Sequence, residues 1–257
     1  MLLAFDLDRT LVTDDYRLPA DVPVAIEAAR RAGHLVTVLT GRGRAAAKPF
    51  LDGLDVMGPC SVNHGALVLG AGGSPLRRTR LAAADVLAVL SPYLDQDLLE
   101  FSCVVDDTLF VRDPENERWN GALTQNRLVE RFSSSDFAHL ADKVVFAPSE
   151  SCSLVSAHIA RTLPHLTRYL WGDGFLEVIG AGADKGTALA LIADQLGVPR
   201  DEVVAFGDGL NDVTMLQWAG RGIAVGKAHA DTLAVADEHI PSPEEGGVVA
   251  WLEQHAL

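Results

Sequence analysis

Four short apolar runs, at residues 2–5, 35–39, 203–206 and 223–225, separated by stretches of helical periodicity, constrain this chain more than any other feature. A short continuous apolar run bounded by charge or glycine reads as a buried strand. After the first run, Asp21-Val22-Pro23 opens a segment whose Val24, Ala25, Ala28 and Ala29 recur at helical spacing. It closes at Arg30-Arg31-Ala32-Gly33, with cations in the last turn and a glycine cap signal. Strand, helix and strand within about 40 residues form a βαβ unit, whose parallel strands lie side by side with a right-handed crossover. Asp6 and Thr40, which follow the first two runs, therefore stand at one edge of a parallel sheet.

The later runs repeat this grammar. Asp184-Lys185-Gly186-Thr187 begins a helix with Ala188, Leu189, Leu191, Ile192 and Leu196 on its apolar side and Gly197 at its end. The run at 203–206 ends in Gly207-Asp208-Gly209-Leu210-Asn211-Asp212, and the run at 223–225 ends at Gly226. In the helix expected there, Asp208, Asn211 and Asp212 have i, i+3, i+4 spacing and share one face. Lys185 falls in the first turn of its helix, where the dipole disfavours a cation, so a function explains its presence better than stability does.

Residues 79–182 have a different texture. A helical pattern spans 81–94, and runs at 98–105 and 108–111 flank Asp106-Asp107 as a hairpin. A polar helix is expected over 121–132, a strand over 143–146, a helix after Ser149, and a second hairpin, 166–171 with 175–179, around Gly172-Asp173-Gly174. This mixture predicts an α+β unit with an antiparallel sheet, inserted at 79–182 into a core made of 1–78 and 183–257.

Composition narrows the function classes. The 257 residues suffice for one large or two modest domains with a substantial core. The 35 acidic against 21 basic residues give a net charge of −14, against a phosphate-backbone binder, which presents a basic face. Cys60, Cys103 and Cys152 form no Cys-x-x-Cys pair, so neither a disulfide framework nor a thiolate zinc site is indicated. Asp6 interrupts the first apolar run, against a signal peptide, and no run approaches the roughly 20 residues that span a bilayer. The expectation is a cytoplasmic protein, monomer or homodimer, with no nucleic-acid or membrane partner.

In open parallel sheets, ligands bind outside the carboxyl ends of the strands, and three runs end there in Asp6, Thr40 and Asp208. If the first strand persists past Phe5, Asp6 and Asp8 share a face, and two like charges that close call for a cation. Asp6, Asp8 and Asp208, with Asp212 as an open fourth, offer hard oxygen ligands that suit Mg²⁺. Thr40 with Gly41 and Gly43, before the helix through Ala45-Ala46-Ala47, suits a phosphate cradle, as it also suits an ordinary glycine-rich turn. Asp6 is placed to attack a phosphoryl group whose other oxygens Lys185 and Thr40 hold. Asp8 is placed to protonate the leaving oxygen and then deprotonate water. His64 reads as a turn or supporting residue, since no second histidine stands at ligand spacing.

These residues, in this order, resemble the haloacid dehalogenase-like (HAD) superfamily, and within it the Cof-type sugar-phosphatase branch with a large α/β cap. Asp6-Leu7-Asp8-Arg9-Thr10-Leu11 is similar to its first motif, Leu39-Thr40-Gly41-Arg42 to the second, Lys185-Gly186 to the third, and Gly207-Asp208-Gly209-Leu210-Asn211-Asp212 to the fourth. The resemblance covers essentially the whole chain. It implies a Rossmann-like α/β core with a parallel sheet and an inserted α+β cap that selects the substrate. It also implies a Mg²⁺-dependent phosphatase of small phosphorylated metabolites, sugar phosphates first, acting through an aspartyl-phosphate.

By that resemblance Asp6 is the nucleophile and Asp8 the acid/base. Thr40, Gly41, Lys185 and Asn211 meet the phosphate, Lys185 belonging also to the catalytic set. Asp208 is a metal ligand beside Asp6 and the backbone carbonyl of Asp8, with Arg42 and Asp212 supporting. Narrower possibilities are a mannosyl-3-phosphoglycerate or sucrose-phosphate phosphatase. From other classes come a regulator that binds a phosphometabolite without turnover, and a phosphomutase. Two positions depart from the pattern: Arg9 stands where the family most often has Gly, either adding a cation at the mouth of the site or, as the simpler reading, facing solvent, and His64 stands where it often has Asn.

Overall fold

The computed structural model describes residues 1–95, 99–106, 108–124 and 127–257. Residue 98 of the expected run at 98–105, Asp107 of the hairpin turn and residues 125–126 of the expected polar helix lie outside the described residues. The chain divides into two compact units, Met1–Arg78 with Asp184–Leu257, and Thr79–Ala183.

In the first unit β1 (Leu2–Phe5), α1 (Asp21–Arg31), β2 (Leu35–Val38), α2 (Arg44–Gly53), β3 (Cys60–Val62), β4 (Leu67–Leu69) and β5 (Pro75–Arg78) come first. In the second unit follow α3 (Ala83–Leu90), β6 (Phe101–Val105), β7 (Thr108–Val111), α4 (Asn120–Thr124), β8 (Leu128–Arg131), β9 (Lys143–Phe146), α5 (Cys152–Thr162), β10 (Thr167–Leu170) and β11 (Leu176–Ile179). The chain then returns to the first unit with α6 (Lys185–Leu196), β12 (Val203–Gly207), α7 (Val213–Trp218), β13 (Arg221–Val225), α8 (Ala230–Val235), β14 (Glu238–Ile240) and α9 (Gly247–His255).

The first unit is a doubly covered α/β sheet of order β14-β13-β12-β1-β2, every neighbouring pair parallel. All four residues of β1 are buried because both of its faces are covered. Leu3 and Phe5 join the α1 and α9 side chains Val22, Ile26, Trp251 and Leu252 in one core, and Phe5 stacks on Phe206 with ring centroids 4.7 Å apart. Leu2 and Ala4 face the other way, onto Leu189 and Ile192 of α6 and Met215 and Leu216 of α7. This period of two along β1 places Asp6 just past the last strand residue, at the carboxyl edge. At Gly186 an added Cβ would lie 2.5 Å from the Thr214 carbonyl oxygen, so glycine sets how closely α6 approaches α7. A small antiparallel sheet, β3-β4-β5, sits beside it, and a parallel bridge from Leu39 to Ser61 ties it to the end of β2.

The second unit holds a six-stranded sheet of order β10-β11-β9-β6-β7-β8. Phe101, Cys103, Val144, Phe146, Leu176 and Val178 form one apolar face under α3 and α5. The pairs are antiparallel except β7 with β8. The expected polar helix over 121–132 is corrected here. The described helix is Asn120–Thr124, and Leu128–Arg131 is an edge strand. A helix begun by Asn120-Gly121 has weak intrinsic support, whereas the open edge of β7 offers ladder hydrogen bonds, Val129 packs beside Leu109 and Val111, and the Phe132 N–H donates to the Val111 carbonyl at 2.7 Å. The helix expected after Ser149 begins at Cys152, with the Ser149 hydroxyl accepting from the Ser151 N–H. No helix among the described residues is long and apolar enough to cross a membrane.

Candidate active site

Three strand ends of the first unit assemble the site. Asp6 follows β1, Thr40 follows β2 and Asp208 follows β12, while Lys185 opens α6; all four are buried. Lys185 Nζ donates to Asp6 Oδ1 and to Asp212 Oδ1, each at 2.5 Å, and the Lys185 side chain has no exposed surface. The other Asp212 oxygen accepts from the backbone N–H groups of Asp208 at 3.0 Å and Gly209 at 2.8 Å. One carboxylate thus fixes both the ammonium and the turn after β12. Gly207 makes room for it, since an added Cβ there would stand 2.5 Å from the Asp212 side chain.

Asp208, Asn211 and Asp212 do not share a helical face, contrary to the spacing argument. Asp208 remains at the strand end, Leu210–Asp212 is a single 3₁₀ turn, and α7 starts only at Val213. The two backbone donors that Asp212 captures hold the chain in that turn. Ligand atoms of Asp6, Asp208 and Asp212 nevertheless lie within 4.8 Å of one another. Such a donor set, all carboxylate oxygen, fits a hard divalent cation.

β1 also ends earlier than the shared-face argument assumed. The segment from Leu7 to Val12 closes on itself, with the Thr10, Leu11 and Val12 N–H groups all donating to the Leu7 carbonyl. Asp8 therefore points elsewhere: it takes a forked contact from Arg42, Nε to Oδ2 at 2.9 Å and Nη2 to Oδ1 at 2.5 Å. Arg42 lies over the Phe50 ring, 4.2 Å from its centroid. The Thr40 hydroxyl accepts from the Arg42 N–H at 3.1 Å, and the Thr40 carbonyl accepts from the His64 N–H at 3.0 Å. Gly41 passes so close to His64 that an added Cβ would be 2.2 Å from its ring. His64, left-handed at φ 56°, stands with Nδ1 3.0 Å from Asn211 Nδ2 and so links the Thr40 and Asn211 segments.

Arg9 does not simply face solvent. Its backbone is left-handed at φ 58°, and its Nε stands 3.0 Å from Asp208 Oδ2. Sequence reasoning offered Arg9 as a cation at the mouth but did not name Asp208 as its partner, and it left Asp212 open between a fourth carboxylate ligand and a supporting residue. The one available signal was a non-glycine residue at a position where glycine is usual.

The charge balance is incomplete in this arrangement. Burial pushes the Asp6 carboxyl well above the ordinary range; Lys185 opposes the rise and Asp212 adds to it. Burial and the Asp212 charge push Asp208 up to about 7, against Arg9 and Lys185. For Lys185, burial alone would lower the pKa, but Asp212 and Asp6 outweigh it and hold the ammonium above its ordinary value. Carboxyls that resist ionisation beside cations mark a place where further positive charge is stabilising.

The chain belongs to the haloacid dehalogenase-like hydrolases, whose family model matches residues 3–252. It is 25% identical over 265 residues to the 5-amino-6-(5-phospho-D-ribitylamino)uracil phosphatase YitU of Bacillus subtilis, covering 99% of this chain and 97% of that one. It is 29% identical over 240 residues to the HMP-PP phosphatase of Serratia proteamaculans, covering 88% of this chain and 84% of that one. A solved HAD subclass IIB sugar phosphatase, BT4131, shares the fold, with a TM-score of 0.83 over 98% of both chains at 21% identity. Within that family the chain is a phosphatase of the Cof type, a phosphoric monoester hydrolase.

Proposed function

We propose that this phosphatase hydrolyses small phosphorylated metabolites, sugar phosphates first, with Mg²⁺ held by Asp6, Asp208 and the backbone carbonyl of Asp8 and supported by Asp212. The observation that carries the reading is the buried Asp6, Asp208 and Asp212 cluster on Lys185 at the carboxyl edge of a parallel sheet. The bound cation would supply positive charge against the carboxylates and the phosphoryl oxygens. Lys185 occupies Asp6 Oδ1 and leaves Oδ2 as the attacking oxygen. Attack forms an Asp6–phosphorus bond as the bond from phosphorus to the substrate oxygen breaks. Asp8, turned out of the Arg42 fork, gives that oxygen its proton. It then takes a proton from water, whose oxygen displaces Asp6 and releases phosphate.

Lys185, Thr40, the Gly41 backbone and Asn211 are assigned to the phosphate oxygens. The α+β unit is assigned the choice of leaving group, and the named substrates of the relatives, a phosphoribityl compound and HMP-PP, support a small phosphorylated metabolite over a macromolecule. Three buried thiols with no disulfide among them support a reducing, cytoplasmic setting.

Phosphate release from a panel of sugar phosphates and other phosphorylated metabolites, with Mg²⁺ and with chelator, tests the reading for wild type beside Asp6→Asn. Metal-dependent release that drops by at least about 10³-fold in Asp6→Asn is expected. Equal turnover in chelator, or an active Asp6→Asn, would refute it.

A further inference from the structure

We propose that Arg9 is the resident counter-cation of Asp208, displaced when the divalent cation enters, so that this residue weakens and thereby sets the site's affinity for its metal. The inference rests on the metal-site reading above. Each of the other acids in the cluster has its own partners: Asp6 and Asp212 share Lys185, and Asp212 also takes two backbone N–H groups. The ion pair of Asp208 is with Arg9.

That contact does not come from a loose side chain on a loose loop. The Arg9 N–H donates to the Val12 carbonyl at 2.7 Å, inside the turn whose next three N–H groups converge on Leu7. The left-handed backbone at Arg9 then sends the side chain back toward the end of β12. A non-glycine residue holds that conformation at a cost, so the position is one where the glycine usual in the family would be unstrained.

A guanidinium at Asp208 Oδ2 and a divalent ion on the same carboxylate repel each other, and Arg9, unlike the fully buried Lys185 beside Asp6, can swing away to relieve that repulsion. Its departure is feasible because the Arg9 side chain is 53% exposed against 5% for Asp208. An open groove of about 950 Å³ adjoins it, lined by Asp14, Glu244 and Glu245 as well as Lys227 and the Asp15–Arg17 pair, so the released guanidinium has open space and acids within it. The resulting linkage is reciprocal: whatever Arg9 contributes to the metal-free site is subtracted from the apparent affinity of the ion.

Calorimetric titration of Mg²⁺ into the metal-free full-length protein tests this without reference to turnover. It is run at about pH 8.5 so that protons compete little for Asp208. Arg9→Gln keeps the unbranched stem and backbone demand of the side chain while removing its charge, whereas Arg9→Lys keeps the charge at nearly the same reach. Arg9→Gln should bind Mg²⁺ roughly three- to fivefold tighter than wild type, the upper end of the scale of a half-exposed ion pair, and Arg9→Lys should stay within about twofold. Equal or weaker binding by Arg9→Gln, or equal tightening by Arg9→Lys, overturns the proposal. Asp208→Asn separates it from the underlying reading. If wild type binds no Mg²⁺, or Asp208→Asn binds it undiminished, the metal site itself is wrong; if Asp208→Asn loses binding while Arg9→Gln matches wild type, only the role of Arg9 falls.

Discussion

The two units of this chain bury polar groups in opposite ways. Among the described residues, the Thr79–Ala183 unit fully buries only Ser102 and Asp142 as polar side chains. Asp142 is satisfied locally, by the Asp106 N–H at 2.9 Å and by Arg80 at 3.4 Å. Its interior is otherwise aliphatic and aromatic, with Phe101, Phe132 and Phe137 meeting edge-on or tilted. The other unit buries Asp6, Lys185, Asp208 and Asp212 within one small volume and leaves Asp6 and Asp208 reluctant to ionise. Packing alone explains the first interior. The second gives up stability at one sheet edge, as expected where groups are arranged for a reaction.

The sharpest way to break this contrast is to remove the shared cation. Lys185→Met leaves Asp6 and Asp212 buried without their ammonium, and loss of one partner from a buried ion pair costs about 3–5 kcal/mol. Arg131→Met in the other unit breaks a pair with Asp113 whose side chains are 63% and 49% exposed, and should cost at most about 1 kcal/mol. Denaturant melts of the two variants measure the gap. Equal losses would mean that the Lys185 cluster is an ordinary structural ion pair.

How legible this was in the sequence differs by element. The strands of the first unit were plain, because a strand covered on both faces must be apolar throughout, as Leu2–Phe5 is. Asp6, Thr40, Lys185 and Asp208 were readable as positions because each stands next to such a run or at a helix start. The edge strand Leu128–Arg131 was not, since its one inward residue of note is the half-buried Val129, the apolar Leu128 lies exposed on the other face, and the partner strand that recruits it is distant in sequence. Nor was the turn after β12: Asp212 reaches back to two N–H groups, a side-chain contact that overrides helical spacing. Arg9 stays open between the mouth of the site and solvent until its left-handed backbone is known.

Glycines draw the same contrast on a smaller scale. An alanine at Gly186 would drive its Cβ into the Thr214 carbonyl, forcing α6, and Lys185 with it, away from α7. Such overpacking costs about 1–3 kcal/mol, and phosphate release should fall with stability. Gly121, in α4 of the other unit, has nothing within 4 Å of an added Cβ. Gly121→Ala should gain up to about 1 kcal/mol from helix propensity and leave turnover unchanged. Thermal melts paired with phosphate release sharpen the comparison; a Gly186→Ala protein of full stability and activity would show that the α6–α7 approach is not what sets Lys185.

The smallest expected effect is a pH slope, and its sign is diagnostic. In the metal-free protein the Asp208 carboxyl is pushed up to about 7 from an ordinary 3.8, so between those values the folded chain binds more protons than the unfolded one. Stability from this group is therefore complete below the lower value and is lost as pH rises through the upper. Asp208→Asn cannot titrate. In chelator it should melt about 3 °C or more above wild type at pH 8 and close to wild type at pH 4. Saturating Mg²⁺ should reverse the order at pH 8, because only the wild-type carboxylate can hold the ion and binding to the folded state raises its stability. The second unit offers no counterpart, since among the described residues the one group of acids close enough to hold a metal is Asp6, Asp208 and Asp212. A wild-type protein that gains stability in chelator from pH 5 to pH 8, relative to Asp208→Asn, would show that Asp208 is already fully compensated by Arg9 and Lys185, and the electrostatic distinction between the two units would fail there.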